Sequence, residues 1–425
     1  MIKSRQYLTW LVLIMSLLLI TCGRKDIISS RPDDADIYYR SGLAFLERGQ
    51  LDLALNEFNK ALQINPIHLE ALNDSGIAYL KKGNLDQAAT KFKEVIKLKS
   101  DSPIPHRNLG SIYLARKMVD EAISEFKQAV QLAPQEAASH YLLAKAFLDK
   151  GLDDMAMVEL KDSIKLKADY GEALKDLAFI YHRKGHESSS VTYYNDAISK
   201  IKDAVMVTPS DAESHQLLGE LYLDIGAYSL AIFEFREALR IKPELVNVYK
   251  SLAFALTASS FFDQAIETLR LYRNLFPEDS EVYCNLGHIY YMIKEDHLAA
   301  GMYSRALELD SKSNAALWLY LINLRGKKKE EGNKILQRFA QKLPKDNWQV
   351  SLANYLSGYQ NTREFTLPDK KENRGPAFFF LGSYYLNSGR KKMANEYLLT
   401  GTAVKYYNSW EFLAARQALE ELNKG

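Results

Sequence analysis

Apolar and polar positions along this chain repeat with a period of 34 residues. The small residues Gly42, Gly76, Gly110, Ala144 and Ala178 stand 34 apart, and Gly219, Ala253 and Gly287 resume the series after one wider step. Around each lies the same order of residue classes. The first block runs Tyr38, Gly42, Phe45, Ala54, Phe58, Ala61, Pro66, and the third Leu109, Gly110, Tyr113, Ala122, Phe126, Ala129, Pro134. The sixth runs Leu218, Gly219, Tyr222, Ala231, Phe235, Ala238, Pro243. Apolar positions three and four apart predict amphipathic helices, two per block. Glycine in turns such as Arg48-Gly49-Gln50 and Lys82-Gly83-Asn84 stops the first helix through a left-handed cap. Pro66, Pro134, Pro243 and Pro277 stop the second. The small residue lets the paired helices approach closely, as do Ala54 and Ala61 from the other side, while Tyr38, Phe45 and Phe58 fill the space around them. No block can bury its own apolar faces, so the blocks must stack.

Eight such blocks are expected over 34–311. The step from Ala178 to Gly219 is 41 residues, seven more than the period. Seven residues are close to two helical turns, so the second helix of the fifth block (Ser189–Val207) is expected to lengthen without turning its apolar face much, either as a tolerated insertion or as a protruding end that a partner could grip. After Ser311 the period lapses. The segment 312–374 reads as a divergent helical pair (Ala315–Arg325 and Glu331–Leu343), a helix over Trp348–Leu356, and a polar linker, Thr362–Gly375, containing Pro368. Within 375–425, the residues Phe378, Leu381, Gly382, Tyr385, Gly389, Ala394 and Leu398 spell one more block. Ser409 is placed to N-cap a final helix through Leu422 that would cover the open end of the stack.

The order large apolar, Leu-Gly, Tyr, then Ala, Phe, Ala and a closing Pro resembles the tetratricopeptide-repeat (TPR) consensus. That resemblance implies an all-α fold, a helix-turn-helix solenoid wound as a right-handed superhelix. It also implies a concave groove lined by a stripe of the first helices, one residue on from the core positions. On this stripe the candidate peptide-groove residues are Tyr39, Arg107, Tyr141, Lys145, Lys175, Phe179, Lys250, Phe254, His288 and Tyr291. Aromatics mixed with Arg107, Lys175 and Lys250 suit an extended or helical peptide of some acidic character. The leucines of the same stripe equally suit packing against the next block. The Lys-Asn pattern with which some repeats of this kind clamp C-terminal carboxylates is not reproduced.

The N-terminus adds an export signal, residues 1–21. Lys3 and Arg5 precede an uncharged apolar run, Leu8–Ile20, shorter than the ~20 residues of a comfortable membrane span. The run ends in Leu19-Ile20-Thr21-Cys22-Gly23, which resembles a bacterial lipobox, with Thr21 where Gly, Ala or Ser is usual. Cys22 is then the expected lipidation site and 22–33 a lipid-anchored linker. An uncleaved anchor with an incidental Cys22 is the alternative. By resemblance to Gram-negative sorting rules, Gly23 favours the outer membrane facing the periplasm. The runs Leu317–Leu321, Tyr355–Gly358 and Phe380–Leu386, with Trp348, resemble the end of the NlpI-type lipoproteins. That family implies an envelope adaptor docking proteases or peptidoglycan hydrolases, whereas pilus-assembly lipoproteins with similar repeats imply an assembly factor.

Charge and chemistry narrow the field further. Discounting Lys3 and Arg5 from the 55 basic residues leaves as many bases as the 53 acids, so no electrostatic bias toward nucleic acid remains. No HExxH, Walker loop or GxSxG elbow occurs. His182 and His186, with Glu187, straddle a helix end and read as surface residues, and Cys284 reads as a semi-buried thiol. The expectation is a non-catalytic scaffold for proteins or peptides, with no cofactor or metal; its oligomeric state is left open.

Overall fold

The computed structural model describes residues 34–188, 190–358, 365, 367–403 and 409–424. The expected signal, the linker and Cys22 lie outside the described residues, as do the side chains of His186 and Glu187. Every regular element described is an α-helix. The first eight blocks supply α1 (Asp34–Glu47), α2 (Leu51–Ile64), α3 (Leu69–Lys81), α4 (Leu85–Leu98), α5 (Pro103–Ala115), α6 (Val119–Leu132), α7 (Ala137–Asp149) and α8 (Asp153–Leu166). They continue through α9 (Gly171–Ser188), α10 (Val191–Val207), α11 (Ala212–Asp224), α12 (Tyr228–Ile241), α13 (Val246–Ala258), α14 (Phe262–Leu275), α15 (Ser280–Met292) and α16 (Asp296–Leu309). Beyond them come α17 (Ala315–Arg325), α18 (Lys329–Ala340), α19 (Trp348–Ser357), α20 (Lys371–Asn387), α21 (Lys391–Ala403) and α22 (Trp410–Lys424). Two compact units result, Met1–Arg183 and Lys184–Gly425, their boundary falling inside α9.

In the first unit the period becomes a lock. A Cβ on Gly42, Gly76 or Gly110 would lie 2.6 or 2.7 Å from the ring of Phe58, Phe92 or Phe126, so only glycine admits the ring. Where the small residue is Ala144, the ring's place sixteen positions on is taken by Leu160, also fully buried. A methyl gained on one helix is matched by volume lost on its partner, which keeps the interior at crystal-like density. Along one edge, a cation five or six positions after the small residue of a first helix reaches back to an aspartate starting the previous second helix. The pairs are Lys82–Asp52 at 2.5 Å, Arg116–Asp86 at 2.6 Å, Lys150–Asp120 at 2.6 Å, and Arg183–Asp153. The aspartates also sit favourably at helix N-termini, although exposed pairs of this kind contribute at most about 1 kcal/mol each.

The second unit uses the same lock at Gly219 with Phe235 and Gly287 with Tyr303, and the matched version at Ala253 and Leu269. The edge pairs lapse, because Ile225, Ser259 and Ile293 stand where the cations would be, until Arg325 meets Asp296 at 2.5 Å. Carbonyls of the helix-stopping prolines are capped by the residue six positions on. Tyr249 Oη donates to Pro243 O at 3.0 Å and Tyr283 Oη to Pro277 O at 2.9 Å, and His215 Nε2 lies 3.2 Å from Pro209 O. In the first unit His140 Nε2 stands in the same relation to Pro134 O, at 3.1 Å.

Three expectations are corrected. The extra residues of the fifth block do not go mainly into its second helix. Regular first helices end before a left-handed residue seven positions after the small one, such as Gly49, Gly83 and Gly151, with positive φ. Gly185 holds that position, but the helix runs through it to Ser188. The first helix is therefore 18 residues against the usual 13, and α10 gains three at its start, 17 against 14.

Second, the expected divergent pair is present, but its second helix runs Lys329–Ala340 rather than Glu331–Leu343. The large Tyr320 stands at the small position of α17, and Gly332 on α18 receives it, a Cβ there falling 2.9 Å from the Tyr320 ring. Third, the linker does not extend to Gly375, because α20 already begins at Lys371 and carries Pro376 in its first turns. Pro376 is the sixth residue of that helix, past the four amides that lack partners, so it removes one intrahelical hydrogen bond there.

Candidate peptide-binding grooves

In the first unit the candidate stripe forms a row of contacts between successive first helices. Tyr39 Oη donates to Asp74 Oδ2 at 3.0 Å, and its ring lies 5.0 Å from that of His68. Burial pushes the Asp74 carboxyl up, opposed by hydrogen bonds from Tyr39 and Asn73. Arg107, itself buried, donates from Nη1 to Glu136 Oε1 at 2.6 Å; burial lowers its pKa and Glu136 opposes the shift. The Tyr141 ring lies 5.0 Å from that of Tyr170, tilted by 43°, and Lys145 pairs with Asp176 at 3.5 Å. Burial raises the Asp176 pKa against the pull of Lys145 and Lys175. Phe179 is the exception to this packing. It is 48% exposed, with the Arg183 guanidinium 5.6 Å from its ring centre. Leu43, Asn73, Ile77, Lys145, Leu148 and Lys175 are half-buried around the same row.

The second unit differs because its own last helix covers the stripe. Trp410, the first residue of α22, packs edge-on to Phe254 at 5.1 Å and against His288 at 5.1 Å. Phe254 is thereby reduced to 5% exposure and His288 to 3%. His288 Nδ1 lies 2.7 Å from Tyr303 Oη. Burial lowers the imidazole to about 3, so it is neutral at ordinary pH. Burial also opposes ionisation of the Tyr303 phenol, so the pair is a hydrogen bond between two neutral groups. Tyr291 is covered in turn by the Arg325 guanidinium, 4.4 Å from its ring centre, and by the edge of Trp318. Further along α22, Arg416 Nη2 donates to Ala258 O at 3.3 Å, Gln417 Nε2 to Met292 O at 2.8 Å, and Glu421 pairs with Lys294 at 3.0 Å. The expectation that the last helix merely covers the end of the stack is too small; it lies on α20 and α21 and also reaches α15.

Two features of the expected site change as a result. Tyr141, Phe254 and His288 are interior packing residues that present almost no surface to a ligand. Two of the cations that suggested an acidic peptide are already held by acids of the next repeat, Arg107 by Glu136 and Lys250 by Glu281 at 2.5 Å, and Lys145 on the same stripe is held by Asp176. Those acids stand at or near helix N-termini some thirty residues on, so no local sequence window pairs them. Trp410 escapes a repeat-based reading for a similar reason: it occupies no position that recurs along the chain.

The candidate chemistry elsewhere is structural. His140, Glu159 and Asp162 lie close enough to resemble a ligand trio. Both His140 ring nitrogens are engaged, however, Nδ1 by Glu159 at 2.7 Å and Nε2 by Pro134 O. The same His–Glu pair recurs as His106–Glu125 and His215–Glu234, which marks it as a repeat feature. Burial pushes the Cys284 thiol up to about 11, the reverse of what a nucleophile needs.

Family models bear on this arrangement directly. Two described as "Tetratricopeptide repeat" match residues 73–137 with 119–163, and 212–245, and one described as "TPR repeat" matches 42–83. The chain carries tetratricopeptide repeats. Among solved structures, the C-terminal part of a TPR repeat-containing protein from Cytophaga hutchinsonii is 17% identical, covering 56% of this chain and 95% of its own, with a TM-score of 0.47. The pilF protein of Pseudomonas aeruginosa is 19% identical over 49% of this chain and 92% of its own, with a TM-score of 0.45. A fragment of MamA from Desulfovibrio magneticus RS-1 is 21% identical over 41% and 98%, with a TM-score of 0.37. TPR proteins generally mediate protein–protein interactions, binding other proteins or peptides, and the fold is generally a non-catalytic scaffold.

Proposed function

We propose that this chain is a non-catalytic adaptor of the cell envelope, tethered through a lipidated Cys22, which docks peptide segments of envelope proteases or peptidoglycan enzymes on the groove face of its first unit. The observation that carries this reading is the surface retained by the first unit's stripe. Phe179 is 48% exposed there, beside half-buried Lys145, Leu148 and Lys175, whereas the equivalent stripe over α13 and α15 is closed. An exposed aromatic flanked by aliphatic and hydrogen-bonding side chains suits an apolar anchor on a bound segment. Since the neighbouring cations are paired internally, a mainly apolar segment fits better than a strongly acidic one.

A photoreactive phenylalanine analogue at position 179 tests the docking face. It should crosslink envelope proteases or cell-wall hydrolases in intact membranes, and Phe179→Ala should weaken their capture by roughly tenfold, an anchor's worth of about 1.4 kcal/mol. Crosslinks only to pilus or secretion components would replace the adaptor by an assembly factor. Tethering is tested separately. Cys22→Ser should abolish acyl labelling and release the chain from membranes, because stable anchoring needs more than one acyl chain and there would be none. Unchanged labelling refutes the tether and leaves the groove assignment intact.

A further inference from the structure

We propose that the groove face of the second unit is a docking site for an amphipathic helix with an aromatic anchor, and that α22 is its built-in occupant, replaceable by a partner helix of the same chemistry. The manner in which α22 sits supports this. Repeat helices meet through a small residue and the ring or leucine sixteen positions on, as at Gly219 and Phe235. Towards α13 and α15, α22 makes a different set of contacts. Trp410 enters between Phe254 and His288, on the stripe adjoining the core positions. Six and seven residues later, Arg416 and Gln417 donate to the carbonyls of Ala258 and Met292, the last residues of α13 and α15. Carbonyls at helix C-termini lack intrahelical partners, so donors from a ligand satisfy them. An aromatic anchor followed by two donors that cap successive helix ends amounts to a reading frame for a helix laid across two repeats.

The occupant is also imperfectly matched to its seat. Glu411, next to the anchor, is buried with its carboxyl beside the Trp318 indole. No cation pairs with it among the described residues, and Trp318 Nε1 has no hydrogen-bond partner of good geometry. Desolvating a carboxyl without a counter-ion opposes docking. A helix with the same anchor and donors but a neutral residue in place of Glu411 would hold more firmly, which gives an external partner an advantage over the internal one.

A labelled peptide of residues 409–424 is titrated against the full chain and against its Trp410→Ala variant. The variant, whose own anchor is gone, should bind the peptide at least about tenfold more tightly than the wild type. Adding Phe254→Ala, or replacing the peptide's tryptophan by alanine, should remove that binding. Equal binding to both chains, or binding indifferent to Phe254 and to the peptide's tryptophan, overturns the proposal. Hydrogen exchange of the wild-type chain covers the case in which Trp410→Ala does not fold. Amides of α22 should exchange through an opening that leaves α13 and α15 protected, and exchange of all three helices only together overturns it equally.

Discussion

Replacing Gly219 by alanine is expected to destabilise its repeat by about 2 kcal/mol, and adding Phe235→Leu should recover most of the loss. The Cβ introduced at Gly219 would lie 2.5 Å from one Phe235 ring carbon and 2.7 Å from the next. That ring is fully buried, so it cannot swing aside into solvent. Overpacking of this kind costs about 1–3 kcal/mol and alanine's better helix propensity returns about 1 kcal/mol, a net of about 0–2 kcal/mol, of which the confined ring selects the upper end. Phe235→Leu alone should cost about 1–2 kcal/mol through the space it vacates. Together the two changes recreate the Ala144/Leu160 and Ala253/Leu269 combinations that the chain already uses. Because stacked repeats need not unfold in one step, the measurement is hydrogen exchange over α11 and α12 beside the denaturant midpoint. Additive losses in the double variant would refute the volume-matching account.

This lock is also the reason so much of the fold was legible in the sequence. Its members lie 16 residues apart on one hairpin, and each repetition restates the same local rule. Reading failed where a residue type kept its place but changed its use. Gly185 follows Arg183-Lys184 as Gly83 follows Lys81-Lys82, yet it lies inside a helix, with the Tyr194 ring 3.2 Å from where its Cβ would be. Tyr320 stands where the small residue is expected, and Gly332, at the place Ala54 holds in the first block, makes room for its ring, so the register survives while the consensus disappears. The grooves were the least legible part. Whether Arg107 or Lys250 can meet a ligand depends on Glu136 and Glu281, and whether Phe254 can depends on Trp410, 156 positions on. A stripe read from one helix identifies the residues that face its neighbours, and only the neighbours decide what remains for a partner.

Trp318→Ala is expected to be the most damaging single change in the second unit, costing about 3–5 kcal/mol. The indole is fully buried and forms the junction of several elements. Its ring centre lies 4.5 Å from His288 and 5.1 Å from Tyr291 on α15, and 4.8 and 5.5 Å from Phe379 and Phe380 on α20. Truncation would leave a cavity walled by rigid rings held by their own helices, which cannot collapse to fill it. It would also remove the group beside the buried Glu411 carboxyl, so α22 should loosen along with α20. Water admitted by that loosening would relieve the desolvation of Glu411, whose carboxyl burial currently holds above its ordinary range. A carboxyl raised in the folded state favours folding most below its unfolded pKa, and that contribution fades as pH rises through the folded value. The Trp318→Ala chain should therefore lose part of the wild type's fall in stability between acid and neutral pH, as well as about 3–5 kcal/mol overall. Trp318→Phe, which keeps a ring in the site, should retain most of both. Hydrogen exchange resolves the claim by position: protection should fall first over α15, α20 and α22, and an unchanged exchange pattern at those helices would show that the aromatic junction does not hold them together.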